Sequence, residues 1–346
     1  MKKNLTQNLI GILVFSIFFG LSSYFFSGEY LDFHKQKQEQ GKTYSQLREN
    51  LKNFKEEELK EIQEIEIFDT PDMSLIKKIT DKIDTAKKKV YLNTYIYTEK
   101  NIRASLIKAK KRGIDVKIIL EKNVYMAPNL NKKAFEEAQQ AGIAIVWSNP
   151  KNYTFNHAKY LLVDNELILS TGNISYTNFK SNKDIFLFIK DDEICKKGEE
   201  IFKRDFAGEE RIIYHPNLLV SPYSSREKIE YMLKNAGKSL KLYVPYLADE
   251  TLFFLLKESV KAGVFVTIIT SDTEGEKLKE LKNLGANIIY SKRKIHAKAI
   301  LKDDTLLFVG SINFSNTSMD ENMELGILIQ NKKIIDDFSL FFEKEL

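Results

Sequence analysis

Cysteine is almost absent from this chain. Cys195 alone among 346 residues excludes an intrachain disulfide and any zinc cluster built on cysteines. Proline is scarce, at 6, and no fibrous or collagen-like repetition is present, so bulk disorder and fibrous classes are excluded. Charge of one sign is also lacking. The 53 basic residues stand against 48 acidic ones, a net +5. That excess favours an anionic substrate or membrane surface but is too mild to argue nucleic acid by itself. Histidine occurs only 4 times, so a repeated histidine pattern stands out.

Long apolar runs are absent except for one. Residues 9–26, LIGILVFSIFFGLSSYFF, follow Lys2 and Lys3 and carry no charge. This length is just enough to cross a bilayer as a helix, and the leading lysines keep the N-terminus in the cytoplasm. The expectation is a single N-terminal transmembrane helix at a bacterial cell membrane with the rest of the chain outside the cytoplasm. The alternative is secretion after cleavage of a signal segment near Gly20–Ser22. Scarce cysteine with abundant Lys, Ile and Phe has a bacterial look. Residues 29–64 are polar and charged, and Tyr44, Leu47, Leu51 and Phe54 recur at helical spacing. They read as a helical spacer, or as a dimerising stalk.

From residue 65 short apolar runs alternate with helical stretches. IEIFD, VYLNTYIY, VKIIL and IAIVW read as strands, with helices over 76–87, 102–111 and 133–141. The second half repeats the pattern: helices over 225–236, 251–262 and 276–283, and strands at SLKLYVPY, VFVTIIT and ANIIY. KKRGIDVKIIL matches VKAGVFVTIIT, and AGIAIVWS matches LGANIIYS. This order predicts an α/β fold made of two duplicated halves, each an α-β-α sandwich around a mixed, mostly parallel sheet. The expected organisation is an anchor or signal segment at 1–28, a charged helical linker at 29–64, and two domains at 65–208 and 209–346.

The chemistry sits in a second repeat. HAKYLLVDNELILSTGN (157–173) and HAKAILKDDTLLFVGSIN (296–313) share His, Lys two residues on, and Asp seven after the His. Strand alternation puts each His and Lys on one face. A glycine turn follows, with Asn173 and Ser175 in the first copy and Ser311 and Asn313 in the second. Asn182-Lys183-Asp184 and Asn322-Met323-Glu324 come later, each just ahead of another strand. One imidazole of such a pair can attack phosphorus and the other can move the proton of the leaving or entering group. The Lys ammonium and the Asn or Ser donors can hold the phosphate oxygens. A carboxylate beside each His would fix its tautomer. The scheme needs no metal or cofactor. His34 and His215 lack the pattern and read as structural or surface residues.

These residues make the chain resemble the phospholipase D superfamily, whose mark is a doubled H-x-K-x4-D-x6-G-[ST]-x-N motif. The second copy matches throughout. In the first, Gly172 falls one residue late after Asp164 and Asn173-x-Ser175 replaces Ser-x-Asn; the hairpin VDNELIL looks one residue longer than KDDTLLF. The resemblance covers about 65–346. It implies one site at the interface of the halves, with His157 as nucleophile and His296 as acid and base, beside Lys159 and Lys298. It also implies structural roles for Asp164 and Asp303, histidine-orienting roles for Asp184 and Glu324, and phosphate contacts from Asn173, Ser175, Ser311 and Asn313.

The favoured expectation is a metal-independent phospholipase D that hydrolyses membrane phospholipid to phosphatidic acid through a phosphohistidine. Alternatives are a phosphatidyltransferase resembling cardiolipin synthase and, further off, a membrane-tethered nuclease. The basic stretches KAKKRG (108–113) and SKRKIHAK (291–298) do not decide between lipid and nucleic acid. Both motifs lie in one chain, so no obligatory partner is expected. Intact His and Lys in both copies argue against a non-catalytic scaffold.

Overall fold

The computed structural model describes residues 46–47, 49–51, 53–149 and 153–346. The expected transmembrane helix at residues 9–26 lies outside them. No helix among the described residues is long and apolar enough to cross a membrane. Residues up to Asn53 and residues from Phe54 onward form two separate compact units. In the first, the described residues 46–47 and 49–51 are helical. Phe54, expected on the same helix face, lies beyond the helix and packs edge-on against Tyr231. Residues 54–63 run extended, with one 3-10 turn at Glu56–Glu58.

The second unit is a duplication. Its first half runs β1 (Glu64–Asp69), α1 (Ser74–Thr85), β2 (Lys89–Thr94), α2 (Lys100–Lys111), β3 (Asp115–Leu120), α3 (Lys132–Gln140), β4 (Ala144–Trp147), β5 (Tyr160–Val163), β6 (Glu166–Ser170), α4 (Tyr176–Ser181), β7 (Ile185–Lys190) and α5 (Asp192–Ala207). The second half repeats this order as β8 (Leu218–Ser221), α6 (Ser225–Lys234), β9 (Ser239–Tyr243), α7 (Glu250–Lys261), β10 (Phe265–Thr270), α8 (Glu276–Asn283), β11 (Asn287–Tyr290), β12 (Ala299–Lys302), β13 (Leu306–Gly310), α9 (Asn316–Asp320), β14 (Glu324–Ile329) and α10 (Lys332–Glu343).

The local signals repeat too. Glu99 caps α2 by accepting the Ile102 N–H, and Asp249 caps α7 by accepting the Leu252 N–H. Gly113 and Gly263, at φ 87° and 84°, follow those helices in the left-handed conformation that turns the chain into the next strand.

Each half forms a seven-stranded sheet, in the orders β1-β7-β6-β5-β2-β3-β4 and β11-β10-β9-β12-β13-β14-β8. The expectation of mostly parallel sheets is corrected here. In the first sheet only β2–β3 and β3–β4 are parallel, and the pairings β1–β7, β7–β6, β6–β5 and β5–β2 are antiparallel. The second sheet divides in the same way. The parallel part comes from the β-α-β crossovers that the sequence displays. The antiparallel part is built around the motif hairpin, whose two- or three-residue turn cannot hold a crossover, and the strands added beside it.

Strand alternation assigns each sheet a face toward its partner sheet and a face toward its own helices. Leu162, Leu167, Leu169 and Leu187 of one half share a core with Leu301, Leu307, Val309 and Leu325 of the other. Their neighbours Leu161, Ile168 and Phe186 pack outward with α1 and α2, and Ile300, Phe308 and Leu328 pack outward with α6 and α7. The two halves therefore join through an apolar layer. The motif strands β5 and β12 lie at the middle of their sheets.

Candidate active site

Both histidines sit just ahead of the motif strands, where the backbone crosses between halves. The His157 N–H donates to the Met323 carbonyl (2.8 Å), and the Met323 N–H donates back to Phe155 (2.8 Å). Across the pseudo-twofold, the His296 N–H donates to Lys183 (3.0 Å), and the Lys183 N–H donates back to Lys294 (2.9 Å). Met323 and Lys183 each precede a strand-leading carboxylate, so the pairing of side chains is crossed. His157 Nδ1 lies 2.9 Å from Glu324 Oε1, and His296 Nδ1 lies 2.9 Å from Asp184 Oδ1. With Nδ1–H donating to a carboxylate, each ring keeps its lone pair on Nε2.

The lysines lie immediately ahead of the motif strands, two residues after each histidine. Lys159 Nζ donates to the His157 carbonyl (2.5 Å) and lies 5.4 Å from the centroid of the Tyr95 ring. Lys298 Nζ donates to the carbonyls of His296 and Thr171 and to His296 Nε2 (3.2 Å). The Thr171 contact is itself a link across the halves. Among the described residues no corresponding bond engages His157 Nε2. The Tyr95 ring stands edge-on to His157 at 4.9 Å between centroids.

Burial dominates the electrostatics. It holds His157 down to about 4, with Lys159 adding to the effect and Glu324 opposing it. His296 is held down to about 4 in the same way, against Asp184. Burial pushes Lys298 down to about 8 and Lys159 well below the ordinary lysine range. Burial pushes the two carboxyls up, but their histidines and lysines outweigh it. Asp184, with a bond from Thr171, and Glu324 both end below the usual carboxylate range.

The supporting residues divide unevenly. Asp164 accepts the N–H groups of Lys87, Lys88 and Lys89 (2.8–3.0 Å), and Asp303 accepts those of Gly237, Lys238 and Ser239 (2.7–3.0 Å). Both thus anchor the start of a neighbouring strand, away from the histidines. Asn173 and Asn313 are partly exposed, and Asn173 Oδ1 is buried without a hydrogen-bond partner, an amide free to engage a ligand. Ser311 is placed differently from its expected phosphate contact. It is fully buried, its hydroxyl donating to the Leu325 carbonyl and accepting the Leu325 N–H. Ser175 accepts the Asn178 N–H at the start of α4, just as Ser315 accepts that of Ser318 at α9.

The irregular first motif has a simple cause. The hairpin at Asp164-Asn165 is one residue shorter than that at Asp303–Thr305, not longer as the sequence suggested. Ser170 therefore stands where Gly310 stands, each N–H donating to the motif lysine carbonyl. Thr171 stands where Ser311 stands, and Asn173 where Asn313 stands. Thr171, missed from the sequence, donates to Asp184 Oδ1 (2.6 Å) and accepts the Ile185 N–H (2.9 Å). Matching the copies backward from the shared asparagine, rather than forward from the aspartate, reveals it. His215 is buried and accepts the Asn217 N–H, a structural role; His34 lies outside the described residues.

A pair of imidazoles that meet across a duplicated interface, each with its own lysine, marks an enzyme that acts on phosphodiester bonds. The family model described as "Cardiolipin synthase, PLD-like domain" matches residues 79–206 and 229–346. The chain belongs to the phospholipase D superfamily. It is similar to the cardiolipin synthase of Clostridium perfringens strain 13, 25% identical over 333 residues that cover 79% of this chain and 68% of that one. It is also similar to a phospholipase D of Rickettsia bellii, 32% identical over 130 residues, 36% of this chain and 61% of that one. Among solved structures, phosphatidylserine synthase of Haemophilus influenzae shares the fold, with a TM-score of 0.68 at 14% identity over 86% of this chain and 88% of that one.

Proposed function

We propose that the chain is a phosphatidyltransferase of the cardiolipin synthase type. The expectation of phospholipase D hydrolysis gives way to its alternative because the long matches are to cardiolipin synthases, whereas the phospholipase D match spans only 130 residues. The observation that carries the chemistry is the crossed pair of histidine–carboxylate contacts.

His157 Nε2, free of hydrogen bonds, attacks the phosphorus of a phospholipid. The P–O bond to the headgroup alcohol breaks, a phosphohistidine forms, and His296 delivers the proton to the departing oxygen. A second alcohol then attacks the phosphohistidine. His296 takes its proton and His157 leaves. The anionic phosphodiester supplies the negative charge that lets His296 hold a proton in a site where burial otherwise keeps it neutral. Lys159, Lys298, Asn173 and Asn313 stabilise the non-bridging oxygens. Asp184 and Glu324 keep Nδ1 protonated and so aim Nε2 at phosphorus. A membrane location, with the site held at a bilayer by residues 9–26, is part of this reading.

The test uses the full chain and its His157→Ala variant in vesicles of labelled phosphatidylglycerol, with EDTA. A product with two phosphatidyl groups and released glycerol, from the wild type alone, is expected. Phosphatidic acid as the sole product returns the assignment to a hydrolase. Cleavage of a labelled oligonucleotide with untouched lipid overturns the lipid reading.

A further inference from the structure

Three exposed apolar side chains share one short loop. The β3–α3 connection leaves Tyr125 73% exposed, Met126 87% and Leu130 42%. Val124 between them and β3 is buried, so the loop is pinned inward at one residue and turned outward at the next two. Met126 holds a φ of 58°, a left-handed conformation that bulky residues rarely adopt.

The loop is tightly built. Three successive turns close it, with Ala127, Leu130 and Lys132 N–H groups donating to Val124, Ala127 and Asn129 carbonyls. Asn131, fully buried, fastens its base by accepting the Tyr97 N–H (3.0 Å) and donating to the carbonyls of Tyr95 (2.7 Å) and Glu121 (2.9 Å). The Tyr125 N–H donates to Tyr95 Oη (2.7 Å), and the Tyr95 ring is the one that stands against His157. A single aromatic side chain therefore separates the exposed tip from the histidine.

The charges within the loop itself are all of one sign. Residues 122–133, KNVYMAPNLNKK, contain exposed Lys122, Lys132 and Lys133 and no acidic residue. Lys132 and Lys133 make only long contacts, 3.9 and 4.0 Å, to Glu136 and Glu137. The equivalent β10–α8 connection, SDTEG at 271–275, is short, carries Asp272 and Glu274, and has no large apolar side chain. The duplicated fold does not require the apolar loop, since one half does without it. An apolar tip with a collar of lysines suits the boundary of an anionic bilayer, where apolar groups enter and ammoniums meet phosphates.

We propose that the 122–133 loop docks the catalytic unit on an anionic phospholipid surface, with Tyr125, Met126 and Leu130 inserted at the headgroup level beside the His157 side of the site. This rests on the phosphatidyl-transfer reading in one respect: it supposes a substrate that lies in a bilayer.

The test places an environment-sensitive fluorophore on Met126→Cys, and separately on Thr273→Cys, in the full chain in vesicles of phosphatidylcholine and phosphatidylglycerol. Native Cys195 is buried and leaves the new thiol as the labelled one. The expected result is a blue-shifted label at 126, quenched by lipids brominated on their acyl chains, and an unchanged label at 273. Tyr125→Ser with Met126→Ser is expected to lower turnover of vesicle lipid about tenfold, while a water-soluble aryl phosphodiester is turned over within about twofold of wild type. A label at 126 that stays in water while phospholipid is converted overturns the docking and leaves the lipid chemistry standing. An embedded label with no lipid conversion supports docking and overturns the transferase reading. A response without vesicles that rises with protein concentration overturns docking in favour of contact between copies.

Discussion

The two halves share every element in the same order, yet they differ where substrate would arrive. The first half turns its motif hairpin in two residues, carries Ser170 and Thr171 in the motif, and extends the β3–α3 loop into a lysine-collared apolar tip. The second turns in three, carries Gly310 and Ser311, and closes the matching loop with Asp272 and Glu274. His157 Nε2 is unengaged, whereas Lys298 binds His296 Nε2 at 3.2 Å. A duplicated scaffold supplies two equal sets of groups, and small local departures then give them unequal work.

The sharpest way to break that comparison is to remove one imidazole at a time. With a lipid alcohol as leaving group, His157→Ala and His296→Ala are each expected to lose about 10⁴-fold in kcat/KM or more. With a p-nitrophenyl leaving group, which needs no proton, His296→Ala should recover most of its rate in steady-state assays and His157→Ala none. Recovery by His157→Ala instead reverses the two roles.

Next come the crossed carboxylates. Asp184→Asn and Glu324→Gln are each expected to cost on the order of 10²–10³-fold in kcat through loss of the tautomer that aims Nε2. Nitrogen NMR should show Asp184→Asn moving the His296 ring signals and sparing His157, with Glu324→Gln doing the reverse. Movement of the histidine in the same half as the substitution contradicts the crossing.

Acid should weaken both halves alike. His157 and His296 are each held to about 4 when folded, so unfolded histidines take up protons near 6.5 that folded ones refuse. Stability present above pH 6.5 is therefore lost as pH falls toward 4, by roughly 3 kcal/mol per histidine at the limit. Asp184 and Glu324, held below the usual carboxylate range, extend the loss in the same direction. Urea unfolding across pH 7 to 4 checks it, and a His157→Gln, His296→Gln chain should show a shallower slope, with buried His215, also held to about 4, accounting for part of the remainder.

The smallest effect tests the motif itself. A side chain at Gly310 meets Gly326 Cα at 2.6 Å and the Leu325 carbonyl at 2.9 Å, backbone that cannot step aside. Gly310→Ser is expected to cost about 1–3 kcal/mol. Ser170→Gly should cost about 1 kcal/mol, from loss of the bonds between Ser170 Oγ and the Gly172 backbone at 2.9 and 3.0 Å. Thermal unfolding of both variants measures the difference. A Gly310→Ser chain as stable as the wild type would show that the two positions tolerate a hydroxymethyl group alike.

Helix ends, strands and the paired His and Lys were legible because each is a local property. Gly113 and Gly263 mark the same turn in both halves, and a histidine repeated with its lysine is unlike chance in a chain with 4 histidines. The antiparallel half of each sheet was not legible. The helix–strand alternation points to crossovers, whereas the hairpins at Asp164 and Asp303 show their direction only through partners far along the chain. Thr171 was hidden by a one-residue difference in hairpin length. Tyr95 carries no motif, and its place against His157 comes from packing.

The sequence by itself determined the duplication, the helix and strand order, and which side chains the proposed chemistry draws on. Periodicity, capping and turn preference act over a few residues, and a repeated motif declares its own importance. Only the tertiary structure decided that Glu324 serves His157 and Asp184 serves His296, that Lys298 touches Thr171, and that the apolar loop reaches the site through Tyr95. Those contacts join residues from opposite halves or separate loops. They exist because an apolar layer between two sheets brings the halves together, and no local rule specifies which side chains then meet.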